Sequence, residues 1–428
     1  MAITINSQPS SNELLTPYRP LEITATSDNT SSDGTPTVYT VKMKCFIYLD
    51  GSVVSDNADN PIILDPDIGT SYTFTFDISS YLSGLDTLTN TIQTKGSAIS
   101  VVDSSTNSIK SVRVRFTEVL LQADGTLTNG ATSSYTNTFY IINGVWQHDQ
   151  ISDKFDSFEI ASSGDKYFLT NYRTNILQRK FRTIGVNDSE YVSGFTNLTG
   201  VPYYRLILYT KKYNQGTPSN YYQPLSAFST KRFDLPVGVA NIHATTGGWL
   251  NISGVSVADP VIDSSVGSYS VALTTGTNNT KTSEIVHFNV DHTFCEDEST
   301  RIKFLNRLGA FEYFTFKGYR DRSTIVRNQY YNRALDASYS VHEGGDRVLA
   351  SDVRTEFTVY SQALTEAQRI WLEEMLDGHE CFVEEGNNYI PIKIRAGKTQ
   401  IIQEASDLFT IKMTYQYANP IRRQHGGY

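Results

Sequence analysis

Apolar and polar residues alternate with a period of two over much of this chain, which is the pattern of β-strands with one buried face. In TVYTVKMKCFIYLDG the apolar face takes every second residue from Tyr39 to Cys45, and the run stops at the turn pair Asp50-Gly51. The runs TSYTFTFDISSYL, SVRVRFTEVLLQADG and TNTFYIINGVW follow. Because regular short strands separated by turn residues are typical of a β-sandwich, we predict a sandwich domain at residues 37–158.

Two further regions lie on either side of this domain along the chain. Residues 1–36 are rich in Ser, Thr, Asn and Pro, and they predict an extended N-terminal arm with at most one short strand near Leu21–Ala25. Such an arm is either slack or clamped by a neighbouring subunit. Residues 159–290 predict a second β-rich domain. Its short strands are expected around Tyr203–Tyr209, Trp249–Ile252 and Tyr269–Leu273.

Residues 291–428 predict a third domain, in which strands surround a single helix at about 365–377. In LTEAQRIWLEEMLDG, Thr365 and Gln368 have the spacing of a capping box, and Gly378 stands where a C-terminal cap belongs. We expect this helix to lay one apolar face across a sheet. That face is predicted to carry Ala367, Ile370, Trp371 and Met375. The whole chain is therefore predicted to be mainly β, with two or three β-sandwich-type domains and one flanking helix in the last.

The composition favours strands and narrows the class of protein. Charged residues make up only 19% of the 428 positions, against about a quarter in most soluble domains, while 27 Tyr and 21 Phe suit a pleated surface. A net charge of −9 makes dedicated nucleic-acid binding a poor hypothesis. Three well-separated cysteines, Cys45, Cys295 and Cys381, do not form a disulfide framework. We find no signal-peptide pattern and no apolar run long enough to span a membrane.

The most strongly patterned stretch is RIKFLNRLGAFEYFTFKGYRDR, which predicts a hairpin turning at Gly309. If it only packs within its own chain, we expect one buried face and solvated basic residues at Arg301, Lys303, Arg320 and Arg322. We favour the interpretation that this basic cluster docks against acidic groups of a neighbouring subunit. A third interpretation has the basic residues line a channel that carries DNA. The candidate interface residues are Arg301, Lys303, Arg307, Phe311, Tyr313, Arg320 and Arg322.

Two segments offer metal-ligand chemistry, and neither has the spacing that a site requires. His287 and His292, followed by Cys295, are five apart on a predicted strand, so alternation sends the two imidazoles to opposite faces. The Asx-rich run at residues 55–67 could supply oxygen ligands to calcium, but it lacks the glycine and the closing glutamate of an EF-hand. Such turns usually bond to their own backbone. We assign no metal and no cofactor.

The sequence also offers no recognisable set of catalytic residues. The sequence contains no G-x-S-x-G motif, and Cys381 stands beside His379 at the head of a strand, where adjacency does not make a nucleophile–base pair. The pair Glu373-Glu374 is expected on the solvent face of the helix, and Glu384-Glu385 just before a turn. Both pairs are interpreted as solvated charge rather than as a glycosidase site. No catalytic residue is assigned.

Three segments resemble structural proteins of tailed bacteriophages that infect Bacteroidota, including the crAss-like phages of the gut. They are RIKFLNRLGAFEYFTF, KCFIYLDG with YTFTFDISSYL, and LTEAQRIWLEEMLDGHECFVEEGNNYIPIKI. The resemblance covers the early strands and the C-terminal third, and it lies in the style of the motifs. It implies a virion protein of the tail or tail hub, in which a tail-tube-like sandwich with one flanking helix builds rings around the DNA channel. The family brings no catalytic residues.

We therefore expect a non-enzymatic tail hub or tail ring subunit that self-assembles, docks other tail proteins and resides in the virion after synthesis in the host cytoplasm. No sequence-specific nucleic-acid partner is expected. The alternative is a receptor- or glycan-binding module of the tail, in which Trp146 and Trp249 stack on a host surface glycan. Trp371 is a weaker candidate because it belongs to the apolar face of the helix. A polysaccharide-degrading enzyme ranks last, since no carboxylate pair stands out.

Overall fold

The computed structural model describes most of the chain, and every structural statement below refers to the described residues. These are residues 2–17, 20–28, 38–54, 62–67, 72–83, 92–99, 103–104, 109–122, 125–144, 155–160, 164–196, 202–226, 232–277, 281–293, 299–332, 334–335, 337–340, 342, 345–378, 380–395, 400–405, 408–419 and 422–425. None of the helices in these ranges is long and apolar enough to cross a membrane.

The first region is a β-sandwich. This part of the chain contains β1 (Ile3–Ser7), β2 (Leu14–Leu15), β3 (Glu22–Ser27), β4 (Val38–Leu49), β5 (Ser52–Val53), β6 (Ile62–Leu64), β7 (Thr73–Asp77), α1 (Ser79–Ser83), β8 (Asp103–Ser104), β9 (Ile109–Gln122), β10 (Leu127–Thr132) and β11 (Phe139–Ile142), of which β8 belongs to a sheet of the second region. The sheet β1-β3-β7 faces the sheet β2-β11-β9-β4-β5. The alternation along β4 and β7 buries Met43, Phe74 and Phe76 in the core between them. The predicted alternation is confirmed here.

The N-terminal segment carries more structure than the sequence predicted. The expectation of at most one short strand is wrong, because β1, β2 and β3 all lie within residues 1–36. β3 pairs with β7 and with β1, while Leu14 and Leu15 pair in parallel with β11. Ile23 and Ala25 are fully buried in the sandwich core. The polar composition hid these strands, and β2 and β3 also pair with strands from distant parts of the chain.

The second region is also a sandwich. Its elements are α2 (Phe155–Phe158), β12 (Glu159–Ile160), β13 (Arg182–Gly185), β14 (Tyr191–Thr196), β15 (Tyr203–Lys211), β16 (Gln215–Pro224), β17 (Arg232–Pro236), α3 (Val239–Ala244), β18 (Ser268–Thr274) and β19 (Val286–Asp291). The sheet β12-β14-β17-β8 and the sheet β13-β19-β18-β15-β16 contribute to one core. Ile99 and β8 join this region, although the sequence placed them in the first domain. The predicted strand at Trp249–Ile252 is reduced to isolated bridges at Leu250.

The third region is a nine-stranded sheet with one helix across it. Its elements are β20 (Ser299–Leu305), β21 (Phe311–Lys317), β22 (Asp321–Asn332), β23 (Asp346–Tyr360), α4 (Glu366–Asp377), β24 (Cys381–Glu385), β25 (Asn388–Ile394), β26 (Gln400–Ala405), β27 (Leu408–Tyr417) and β28 (Arg422–His425). The strand order is β21-β20-β24-β25-β27-β23-β22, with β26 beside β27 and β28 beside β23. The chain is therefore mainly β with several multi-stranded sheets, as predicted.

The helix α4 begins and ends as the sequence predicted. Thr365 is the N-cap, its hydroxyl accepts from Gln368 N, and the side chain of Gln368 accepts from Thr365 N at 3.0 Å. Gly378 follows the last turn and donates to Glu374 O at 2.9 Å. Trp371 is buried against the sheet, but Ile370 is 47% exposed, so its predicted place on the apolar face is wrong. The buried face continues through Leu372 and Met375 instead.

Candidate functional site: a buried ion network

The hairpin β20–β21 turns its two faces towards different parts of the molecule. Ile302 pairs with Phe314, and both side chains lie in the core that α4 covers. Neighbouring residues point the opposite way, because side chains in a strand alternate with a period of two. Arg301 and Lys303 therefore face the second sandwich, where both side chains are buried. The hairpin is thus covered on both faces.

Arg301 holds the centre of an ion network under this hairpin. Its Nη1 donates to Asp188 Oδ2 at 2.9 Å, and its Nη2 donates to Glu190 Oε2 at 3.0 Å and to Ser189 O at 3.0 Å. These acceptors occupy the short segment between β13 and β14. Burial alone would lower the pKa of Arg301, but Asp188, Glu190 and Glu384 raise it above its ordinary value. The guanidinium is therefore held as a cation.

A second arginine carries the network to the helix α4. Arg182 Nη1 donates to Glu190 Oε1 at 3.0 Å, and its Nη2 lies 3.4 Å from Glu312 Oε2. Trp371 Nε1 donates to the same oxygen of Glu312, and Asn306 Nδ2 donates to the other at 2.8 Å. Anions and cations consequently alternate through the interior. In order they are Glu312, Arg182, Glu190, Arg301 and Asp188.

Lys303 lies on the same face of β20 and is fully buried. Its Nζ donates to Gln93 Oε1 at 2.8 Å and sits 4.4 Å from the ring centroid of Tyr389 and 4.5 Å from that of Phe311. Ring faces and an amide oxygen thereby take the place of water around the ammonium group. Gln93 Nε2 in turn donates to Asp234 Oδ2 at 2.6 Å, which ties this lysine to β17.

The turn between β20 and β21 touches all three regions. Asn306 Nδ2 donates to Leu169 O at 2.8 Å, and Arg232 Nη1 donates to Gly309 O at 2.8 Å. Gly309 has a φ of +72°, and a Cβ there would lie 2.7 Å from Asn143 O at the end of β11. Only glycine allows both this left-handed conformation and this approach of the first sandwich. The turn is the point at which the regions are joined.

Glu374 on α4 lies close to this turn and is 2% exposed. Its Oε1 accepts from Asn171 Nδ2 at 2.8 Å, and its Oε2 accepts from Arg307 N at 3.2 Å. Burial raises the pKa of Glu374 to about 7, and the nearby carboxylate of Glu312 adds to the rise. This group therefore changes its charge near neutral pH inside the junction of the three regions.

A pocket with about 480 Å³ of open space borders Arg301. Its walls are formed by Lys95, Asn187, Asp188, Ser299, Arg301, Glu384 and Gly386. Lys95 Nζ lies 2.5 Å from Glu384 Oε1, and Arg301 Nε lies 3.6 Å from Glu384 Oε2. The cations of this pocket are thus already paired with its carboxylates, which leaves little excess charge for a charged ligand.

The seven interface candidates separate into two groups. Five of them are buried within the chain, with exposures of 6% at Arg301, 0% at Lys303, 8% at Arg307, 2% at Phe311 and 3% at Tyr313. The expected solvation of Arg301 and Lys303 is wrong, because Asp188, Glu190 and Gln93 of the same chain bind them. These five side chains are therefore enclosed by their own chain.

The other two candidates lie at the surface. Arg320 is partly exposed, lies 2.9 Å from Glu385 Oε1 and covers the ring of Phe357. Arg322, at the start of β22, is exposed. Neither of them takes part in the network around Arg301. A role in contacts with other molecules stays open for these two arginines.

In each carboxylate pair, one member is more buried than the sequence predicted. Glu374 is buried rather than on the solvent face of α4, although Glu373 beside it is partly exposed and pairs with Arg369. Glu384 is largely buried against Arg301, so the second pair is not simply solvated charge. Glu374 and Glu384 thus bind donors of their own chain, namely Asn171 at Glu374 and Lys95 at Glu384.

The remaining candidates for chemistry have ordinary surroundings where the structure describes them. His287 Nδ1 contacts Ser270 Oγ at 2.7 Å, and burial lowers the pKa of this imidazole to about 4. Burial raises the pKa of the Cys381 thiol to about 12, which removes its nucleophilic form at neutral pH. Cys295, His379 and the Asx-rich run 55–61 lie outside the described residues. Within the described ranges no three His, Cys, Asp or Glu side chains are grouped to hold a metal.

The tryptophans proposed to stack on sugars differ in position. Trp249 is fully buried in the second core, so it cannot present its ring to a glycan. Trp371 belongs to α4, where it is buried against the sheet and stacks on Tyr172 with ring centroids 4.7 Å apart. Trp146 lies outside the described residues. The glycan-binding hypothesis therefore loses Trp249.

Sequence reasoning missed the acidic half of the network. Asp188 and Glu190 were not singled out, and neither was Glu312, because each looked like ordinary surface charge. One signal was available in FEYFTF: aromatic residues occupy both alternating sets of β21, from Phe311 to Phe316. A strand that is apolar on both faces is buried on both faces, and its paired basic strand must be buried with it.

The carboxylates of Glu190 and Glu312 accept from guanidinium, amide and indole donors, and Arg301 and Arg182 are closed in by acids. A buried charge that loses its partner is strongly destabilising, so this arrangement fixes the hairpin on the second sandwich.

No family model matches this chain, and no curated protein matches it.

Proposed function

We propose that this chain is a non-enzymatic structural subunit of a phage tail, a hub or ring subunit that binds its own copies and other tail proteins. The observation that carries the proposal is the turn of the β20–β21 hairpin, which contacts all three β-rich regions at once. Asn306, Gly309 and Glu374 provide these contacts. A subunit that keeps its neighbours in register needs its own parts held in fixed positions.

The bonding of the carboxylates in the network supports the same proposal. General acid–base catalysis requires a titratable group within hydrogen-bond reach of a substrate. Glu190 and Glu312 instead use their oxygens on donors of their own chain. Glu374, whose pKa lies near neutrality, is 2% exposed and reaches no open cleft. Further support comes from the resemblance of three segments to structural proteins of tailed phages.

The test is to localise the chain in purified virions. Antibodies raised against the purified protein should decorate the tail in negative-stain images, and the protein should be present in several copies per particle. Antibodies that label only cell debris, or virions that contain none of this chain, would refute the tail assignment. The native mass of the purified protein is a second test, because a ring subunit is expected to form species several times 47.9 kDa.

A glycan-binding module is the second candidate, and exposed tyrosines favour it. Tyr319 is 76% exposed and Tyr339 is 55% exposed, so their rings are free to stack on sugars. A glycan array probed with the wild-type chain tests this function. Signal that disappears in Tyr319→Ala or Tyr339→Ala, but persists when buried Tyr204 is changed to Phe, supports glycan binding. A silent array argues against it.

A further inference from the structure

Strand β22 is the outer strand of the nine-stranded sheet. Over Asp321–Asn332 it pairs with β23 on one side, and in the described part of the chain no strand pairs with its other side. It is 12 residues long, and eleven of these residues are exposed while Ile325 is half-buried. Its outer side therefore presents a row of N–H and C=O groups to solvent.

This edge has only part of the protection that open strands usually carry. Charged residues with long flexible stems, prolines and bulges blunt such edges. β22 contains no lysine and no proline, and its two long charged side chains are Arg322 and Arg327. The one irregularity in the hairpin lies on β23, where the partner of Gln329 is Ala350 and the partner of Tyr330 is Val348. The extra residue is on β23, so β22 runs without interruption.

The edge also carries an apolar stripe on one face, interrupted by the polar pair Asn328 and Ser351. Val326 is 54% exposed and lies opposite Val353, and Tyr330 is 65% exposed and lies opposite Val348, itself 45% exposed. Paired residues of an antiparallel ladder share a face, so these four side chains line one side of the hairpin. An open edge beside exposed apolar groups is a template for another strand.

We propose that two copies of this chain pair through β22, edge to edge and antiparallel, about a two-fold axis. Such an axis stands perpendicular to the sheet and passes between the two strands. One residue of β22 must therefore lie directly opposite the same residue of the other copy. The registers that pair the most residues are centred on Val326 and on Arg327, the two middle positions of the strand. Centring on Arg327 sets two guanidinium groups against each other, whereas centring on Val326 sets apolar against apolar. The second register is therefore the one that forms.

The Val326 register keeps like charges apart along the whole overlap, and it sets Ile325 of one copy against Arg327 of the other. Residues 321–331 of one copy then face residues 331–321 of the other, and no two charges of the same sign stand opposite. Arg322 faces Tyr330, whose ring accepts a cation, and Asp321 faces Tyr331, whose hydroxyl can donate. The two copies of Val326 meet on the axis and continue the stripe of Val353 across the interface.

This pairing does not depend on the tail assignment, because the free chain already carries the whole surface. It is also separate from any ring contact, since a two-fold contact closes on itself and cannot propagate. The contact area is confined to one strand edge and one short stripe. We therefore expect a dimer whose population rises with concentration across an ordinary working range.

Cysteine cross-linking tests the register directly. Cys295 is first changed to Ser, and Cys45 and Cys381 stay in place because both are buried. Val326→Cys should then form a disulfide-linked dimer under mild oxidation. Ile325→Cys and Arg327→Cys should each cross-link poorly alone and well when mixed, because residue 325 of one copy faces residue 327 of the other. Equal cross-linking of Val326→Cys, Arg327→Cys and Asn328→Cys, or none at all, would overturn the proposal.

Sedimentation velocity on the untagged full chain gives the second reading. The wild type should shift from 47.9 kDa towards twice that mass as its concentration rises. Val326→Lys places two ammonium groups on the axis and should raise the dissociation constant at least about tenfold. Val348→Lys is the matched control, because it lies on the same face but on β23, away from the axis. Equal weakening by both variants, or a wild type monomeric at every concentration, refutes the pairing, whereas larger species that survive Val326→Lys belong to a different contact.

Discussion

Arg301 and Glu190 are 111 residues apart in the sequence and meet in a buried ion pair, with Nη2 and Oε2 separated by 3.0 Å. Each is almost closed to solvent, at 6% and 2% exposure. The second oxygen of Glu190 accepts a hydrogen bond from Arg182 Nη1 at 3.0 Å, so one carboxylate compensates two cations. Loss of that carboxylate would leave both guanidinium groups short of charge in the interior, and this makes the network sensitive to single changes.

Glu190→Gln tests the weight of this carboxylate. The change keeps the size of the side chain and removes its charge, so we expect the free energy of unfolding to fall by about 3 kcal/mol. Urea denaturation followed by tryptophan fluorescence measures the loss. Glu366→Gln is the matched control, because that glutamate is exposed on α4 and pairs with Arg369 at the surface. Equal small effects of the two variants would show that the buried pair contributes little.

Gly309→Ala tests the contact between the hairpin turn and the first sandwich. A Cβ at this position meets Asn143 O at 2.7 Å, in addition to the strain of a φ of +72°. We expect a loss of about 3 kcal/mol in the free energy of unfolding. Gly386→Ala has a similar φ of +59° with open space around it, and it should cost only about 1 kcal/mol. If the two variants lose the same stability, the close approach to Asn143 is not a constraint.

The strands and the helix could be predicted because their signals are local. The alternation in β4 and the capping box at Thr365 depend on residues within a few positions of one another. Even so, a local signal can mislead about direction: Ile370 looked apolar-facing, and the packing of Leu372 and Met375 turned it to solvent. β2 and β3 were missed because they pair with β11 and β7, which lie far along the chain.

The network itself could not be predicted, since its members are brought together only by the tertiary fold. Sequence reasoning recognised that the cations of the hairpin needed acidic partners, and it placed those partners on a second subunit. The acids at Asp188 and Glu190 proved to belong to the same chain. Nothing in the spacing between residues 190 and 301 encodes that meeting. The apolar character of both faces of β21 was the one local hint that the hairpin is internal.

Glu374 should make the free energy of unfolding depend on pH between 4.5, the ordinary pKa of its carboxyl group, and about 7. Its pKa is raised from 4.5 to about 7, chiefly by burial and then by Glu312, so the folded chain keeps a proton that the unfolded chain releases. The stabilisation is complete below about pH 4.5 and is lost as the pH rises through 7. Glu374→Gln removes the titration and keeps one of the two acceptor oxygens, while its NH2 group faces a donor, either Asn171 Nδ2 or Arg307 N. Between pH 5 and pH 8 the stability of this variant should therefore fall by about 2 kcal/mol less than that of the wild type.

Denaturation curves between pH 5 and pH 8 measure this dependence. Glu284 also has a pKa raised to about 7 by burial, so Glu374→Gln should reduce the slope without abolishing it. Glu373→Gln is the control on the same helix, since its partly exposed carboxylate pairs with Arg369. A slope unchanged by Glu374→Gln would mean that this carboxylate stays ionised in the folded chain.

The thiol of Cys381 reports on the attachment of the hairpin, because Cys381 pairs with Phe304 across β24 and β20. Burial raises the pKa of this thiol to about 12, so it should react slowly with iodoacetamide at pH 8 while the chain is folded. Cys45, buried in the first sandwich, serves as an internal reference in the same sample. Labelling of both peptides is followed by mass spectrometry in the wild type and in Glu190→Gln. If the network fastens the hairpin locally, the variant should label Cys381 at least about tenfold faster while Cys45 changes less, because local opening exposes only the third region. Equal acceleration at both thiols would instead show that the network stabilises the chain only as a whole.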